Sequence, residues 1–111
     1  MAIEVGPGGY RREFTIDAGE WGVPRCRIED LVGGSPKDNA VAIRRVLGGE
    51  DSHVARTVAL NSGAALYCFG AVDSIEKGYG VAMQAMRDGK ALSLLDKWGA
   101  YTKAAIVTAE K

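Results

Sequence analysis

Residues 52–69 read Ser52-His-Val-Ala-Arg-Thr-Val-Ala-Leu-Asn-Ser-Gly-Ala-Ala-Leu-Tyr-Cys-Phe69. Apolar residues occupy nearly every side of the helix this stretch would form, and a helix that is apolar all round is a buried one. That reading makes the chain mostly α, and it leaves a question for the flanks: which elements cover such a helix? Downstream, Asp73-Ser-Ile-Glu76 is an acid-capped start. Ile75, Tyr79, Ala82, Met83 and Met86 follow at helical spacing until Gly89, which predicts a helix over 75–88. A last helix over 90–103 carries Leu92, Leu95, Trp98 and Thr102 as one stripe, and 104–111 is expected to be a frayed or disordered tail. Upstream, Ser35-Pro36 supplies an N-cap and a first-turn proline. Ala40, Val41, Ile43, Val46 and Leu47 then recur helically, and Gly48-Gly49 ends a helix over 36–48.

The N-terminal third reads differently. Residues 1–9 end in Val5-Gly-Pro-Gly-Gly9 and are expected to be a loop. Tyr10, Arg12, Phe14 and Ile16 alternate with Arg11, Glu13 and Thr15, which predicts one short strand over 10–16. Asp17-Ala-Gly-Glu20 has capping-box spacing, and Trp21-Gly-Val-Pro24 limits the helix begun there to a single turn. Another short turn is possible around Ile28-Glu-Asp-Leu31. The fold class is therefore mostly α with one short β-strand or hairpin. A lone strand cannot satisfy its own ladder groups and needs a sheet from elsewhere.

The 111 residues fit one domain or part of one. Fourteen basic and fourteen acidic residues cancel, so no global charge attracts nucleic acid or an anionic membrane. No segment has the roughly 20 apolar residues of a membrane span, and the first residues do not read as a signal peptide. Cys26 and Cys68 are isolated from each other, without metal-ligand spacing, and are expected to be reduced, partly buried thiols. Fifteen glycines are about twice the usual share. Gly63, Gly78, Gly80 and Gly99 fall inside helical patterns, where glycine implies a close neighbour.

No catalytic constellation is visible. Gly33-Gly-Ser-Pro-Lys-Asp38 could offer N–H groups to a phosphate at a helix start, but Asp38 opposes an anion and a plain capped helix is the better reading. Val5-Gly-Pro-Gly-Gly9 lacks any phosphate-loop signature. His53, the only histidine, sits in a polar helix entry and reads as a surface residue. The doublets Glu29-Asp30, Glu50-Asp51, Arg11-Arg12 and Arg44-Arg45 read as solvated, while Arg25 and Arg27 are slightly better anion candidates. Asn61, an amide within an apolar helix, reads as a tie to a neighbouring backbone. Met83 and Met86 with Tyr79 read as core. No residue is assigned a catalytic, cofactor-binding or metal-binding role.

Six stretches carry a family resemblance: Gly8-Gly-Tyr-Arg-Arg-Glu-Phe-Thr-Ile-Asp17, Trp21-Gly-Val-Pro-Arg25, Glu29-Asp-Leu-Val-Gly-Gly-Ser-Pro-Lys-Asp-Asn-Ala40, Val58-Ala-Leu-Asn-Ser-Gly-Ala-Ala-Leu-Tyr67, Asp73-Ser-Ile-Glu-Lys-Gly-Tyr-Gly-Val-Ala82 and Asp88-Gly-Lys-Ala-Leu92. In this order they resemble the region after the catalytic core of the anthranilate phosphoribosyltransferases, over about residues 3–98. The resemblance implies a C-terminal piece of the α/β catalytic domain that this family shares with nucleoside phosphorylases. It implies a cytoplasmic enzyme of tryptophan biosynthesis that transfers phosphoribosyl from phosphoribosyl pyrophosphate to anthranilate with Mg²⁺. The family's pyrophosphate loop, Mg²⁺-binding Asp-Glu pair and anthranilate-binding segment lie upstream, and no position here matches them. The segment alone is expected to hold no cofactor and to be inactive. Its expected partner is the upstream half of the enzyme or a second copy, with strand 10–16 pairing with itself across a two-fold axis as the simplest dimer. A free-standing interaction module and a segment of a nucleoside phosphorylase remain as alternatives; Asn39-Ala-Val-Ala42 and Asp88-Gly-Lys-Ala-Leu92 favour the transferase over the phosphorylase.

Overall fold

The computed structural model of the protein describes residues 1–109. A β-hairpin comes first. Strand β1 (Ala2–Val5) pairs antiparallel with β2 (Arg11–Phe14), with Ala2 opposite Phe14 and Val5 opposite Arg11. The expected loop over 1–9 is therefore corrected: its first half is a strand, and the strand expected over 10–16 is shorter and has its partner within the chain. Ala-Ile-Glu-Val is too short a run for alternation to register. Gly8 and Gly9 turn the hairpin at φ of 71° and 79°, a conformation that side chains disfavour.

Two 3₁₀ turns follow, Ala18–Trp21 and Ile28–Leu31. Asp17 caps the first by accepting from the Gly19 amide at 3.0 Å. Four helices complete the chain: α1 (Pro36–Leu47), α2 (His53–Phe69), α3 (Ile75–Arg87) and α4 (Lys90–Ala109). Serines cap α1, α2 and α3, which corrects the acid cap expected at Asp73, whose carboxylate pairs with Lys77 Nζ instead. Ser35, Ser52 and Ser74 accept from the amides of Asp38, Ala55 and Lys77. Helix α4 runs past residue 103, so the expected tail over 104–111 is helical as far as Ala109; its last two residues lie outside the described ones.

The core is small. Val46, Ala55, Ala59, Met83 and Met86 are buried, with Leu47, Val54, Val58, Tyr79, Ala82 and Ala91 packed around them. The helices α2 and α3 form the main contact, meeting at Gly63 and Gly78. Of α2, only Ala55, Ala59 and Gly63 are buried, at four-residue spacing along one face, while Phe69 is 87% exposed. This corrects the expectation of a helix buried all round, because α3 packs closely on one face while α1, the second 3₁₀ turn and the hairpin touch the others only lightly. The stripe expected on α4 is likewise divided: Leu92 and Leu95 are half-buried, whereas Trp98 and Thr102 are exposed. The chain exposes 8239 Å², about 2,300 Å² more than a compact monomer of its mass. Its radius of gyration of 16.9 Å likewise exceeds the roughly 13 Å of a compact domain this long.

Candidate functional site

The glycine-rich entry to α1 spends its hydrogen-bond donors on itself. Ser35 N donates to the Asp38 carboxylate and Asp38 N to Ser35 Oγ, which closes a capping box. Asn39 locks the preceding turn: its Oδ1 accepts from Gly34 N at 2.9 Å and its Nδ2 donates to Gly34 O at 3.2 Å. A phosphate there would have to displace the Asp38 carboxylate, so the loop is a helix cap.

The most enclosed polar cluster lies at the start of α2. Arg56 is held by Asp51 at 2.5 Å and donates to Nδ1 of His53 at 3.0 Å. A guanidinium only donates, so Nδ1 accepts and the ring proton of the neutral form sits on Nε2. His53 is half-buried rather than a surface residue. A cavity of about 250 Å³ beside it is lined by Asp17, Arg25, Cys26, His53 and Arg56 among others. The Arg56 Nε is buried without a partner. Asp51 offsets the Arg56 charge, so the pair ties the first turn of α2 to the residues just before it.

The hairpin is anchored by a second polar tie. Tyr67 of α2 donates its hydroxyl to Glu4 of β1, and Arg12 across the hairpin reaches the same carboxylate oxygen at 3.4 Å. The hydrogen bond to Glu4 pushes the Tyr67 hydroxyl above the usual phenol range, with burial adding to it. This tie joins residues 63 apart, a distance over which no local pattern reads.

The remaining candidates are dispersed. Arg11 pairs with Glu13 at 2.6 Å, and Arg12 also lies over the Phe14 ring, 4.4 Å from its centre. Arg44 joins α1 to α4 through Asp96 at 2.9 Å. Arg27 donates its backbone amide to Asp30 at 2.8 Å; Arg25, Glu29, Arg45 and Glu50 are exposed. Asn61 is exposed and donates to Thr57 O on its own helix, which corrects its reading as a buried tie to a neighbour. Cys26 and Cys68 are free, and exposed instead of partly buried. Met83 and Met86 are in the core, and Tyr79 lies against Trp21 with ring centres 6.4 Å apart. Among the described residues, no group of three His, Cys, Asp or Glu side chains could hold a metal ion, and no helix is long and apolar enough to cross a membrane.

Among the described residues, a hairpin is followed by four helices around a small core. The model of the glycosyl transferase family a/b domain matches residues 1–92, and the chain belongs to that family. It is similar to the anthranilate phosphoribosyltransferases of Parvibaculum lavamentivorans (42% identity over 86% of this chain and 28% of that protein) and Methanobrevibacter smithii (40% over 85% and 28%). The crystal structure of the anthranilate phosphoribosyltransferase of Thermus thermophilus superposes with a TM-score of 0.76 at 34% identity, covering 88% of this chain and 29% of the other. The chain thus corresponds to a segment, spanning little more than a quarter of the length of these relatives.

Proposed function

We propose that this chain is the C-terminal structural segment of a cytoplasmic anthranilate phosphoribosyltransferase of tryptophan biosynthesis, and that it supplies packing surface in place of reacting groups. In the complete enzyme the phosphoribosyl group would pass from phosphoribosyl pyrophosphate to the amine of anthranilate with Mg²⁺, on residues this segment lacks. The carrying observation is the surplus surface of about 2,300 Å², with Phe69, Trp98 and Tyr101 at 66–87% exposure. Large apolar side chains exposed to this degree are what a surface packed against another part of the protein would carry. The upstream part of the enzyme is the partner whose absence leaves it bare.

The purified chain should not consume anthranilate in the presence of phosphoribosyl pyrophosphate and Mg²⁺. Mixed with the Thermus enzyme shortened by the matching segment, it should co-elute and restore anthranilate consumption. Turnover by the chain alone, or no association with the shortened enzyme, would overturn the proposal.

A further inference from the structure

We propose that the β-hairpin is a hinged arm, latched onto α2 by the Glu4–Tyr67 hydrogen bond, that swings off about Thr15 and Ile16 while the helices stay folded. The pairing register puts Ala2, Glu4, Arg12 and Phe14 on one face and Ile3, Val5, Arg11 and Glu13 on the other. Glu4 accepts from the Tyr67 hydroxyl, so the first face is the one turned to the helices. That face offers little to bury. Ala2 is small, and the Phe14 ring is overlaid by Arg12 of its own strand, 4.4 Å from the ring centre. The aliphatic side chains Ile3 and Val5 lie on the opposite face, 49% and 73% exposed.

Among the described residues the core draws none from the hairpin. A hollow of about 340 Å³ remains between Arg12 and Phe14 on the hairpin side and Tyr67, Ser74 and Ile75 on the helix side. Apolar burial resists separation in proportion to its area, whereas one hydrogen bond exchanged for water holds by about fivefold. The docked position therefore rests on the polar tie. The joint is equally local. Thr15 and Ile16 are exposed and belong to no helix or strand. Just beyond them the first 3₁₀ turn is anchored to the helices. Its Trp21 lies against Tyr79, and its Ala18 and Gly19 line a cavity with Arg56 and Thr57 of α2. A rigid pair of strands thus adjoins a fixed turn through two residues.

A nitroxide on Cys68, the residue after Tyr67, in a Cys26→Ser background, should broaden the Ile3 and Val5 methyl signals while the hairpin is docked. The isotope- and spin-labelled chain is diluted in unlabelled protein, so that only effects within one molecule count. Tyr67→Phe should shift the docked-to-released ratio by about fivefold, read as reduced broadening, with the helical circular dichroism unchanged. Glu4→Ala, on the other side of the bond, should do the same, and the double variant should add nothing. Arg11→Ala, on the outer face where Arg11 pairs with Glu13, should leave the broadening as it is. Undiminished broadening in either single variant, an equal loss with Arg11→Ala, or additive losses in the double variant would overturn the inference. Release that comes only in step with loss of helix would overturn it too.

Discussion

Gly63 of α2 and Gly78 of α3 meet backbone to backbone. A Cβ built on Gly63 would lie 2.5 Å from Tyr79 N and 2.8 Å from the Gly78 carbonyl carbon, and one on Gly78 would lie 2.7 Å from Gly63 Cα. Neither neighbour is a side chain that could swing away, so the two helices can approach this closely only because both positions lack a Cβ. Around that crossing Ala59, Met83 and Met86 close the core.

Gly63→Ala and Gly78→Ala should each destabilise the chain by about 1–3 kcal/mol, the usual cost of overpacking, despite alanine's better helix propensity. Gly80 and Gly99 have open space where a Cβ would go. Gly80→Ala and Gly99→Ala should instead raise stability, by up to about 1 kcal/mol. Urea unfolding midpoints of the four variants check both signs; equal effects at Gly63 and Gly80 would refute the close crossing.

Tyr67 should ionise above the ordinary phenol range. Its hydroxyl gains from donating to Glu4, and its folded value lies above the ordinary 10.0. For a group raised on folding, the tie contributes fully below pH 10 and is lost as the pH rises through the folded value, where phenolate and carboxylate would repel. Phenolate absorbance followed with pH should show a late step. Tyr67→Phe should abolish that late step, and Glu4→Gln should lower it toward the ordinary 10.0.

Ser52 accepts from the Ala55 amide at 3.1 Å and starts the helix on which the core is built. Ser52→Ala should cost about 1 kcal/mol, and Ser52→Asp should retain most of the stability. Thermal melts of the two variants provide the comparison. A loss shared equally by Ser52→Asp would mean that the capping oxygen is unimportant.

Both thiols should react in the folded protein, because Cys26 and Cys68 are exposed and free. A thiol reagent should titrate two equivalents without denaturant, and the intact mass under non-reducing conditions should match the reduced chain. Protection of either cysteine in dilute, dissociated protein would contradict its placement.

Local chemistry settled much of this molecule before any contact formed. The serine that starts α1, the glycines after α1, and the helical spacing of Tyr79, Met83 and Met86 are all readable within one or two turns of chain. The resemblance needed only the order of short motifs. Tertiary structure decided what depends on distant partners. Ala2–Val5 became a strand only by pairing with Arg11–Phe14, and Tyr67 acquired its role only where Glu4 comes to it. Of four helical glycines with one composition signal, two are at a crossing and two face open space. The circumference of α2 promises burial on every side, yet burial needs atoms on every side. This chain buries one face, Ala55, Ala59 and Gly63, and leaves Asn61, Ala65, Cys68 and Phe69 exposed.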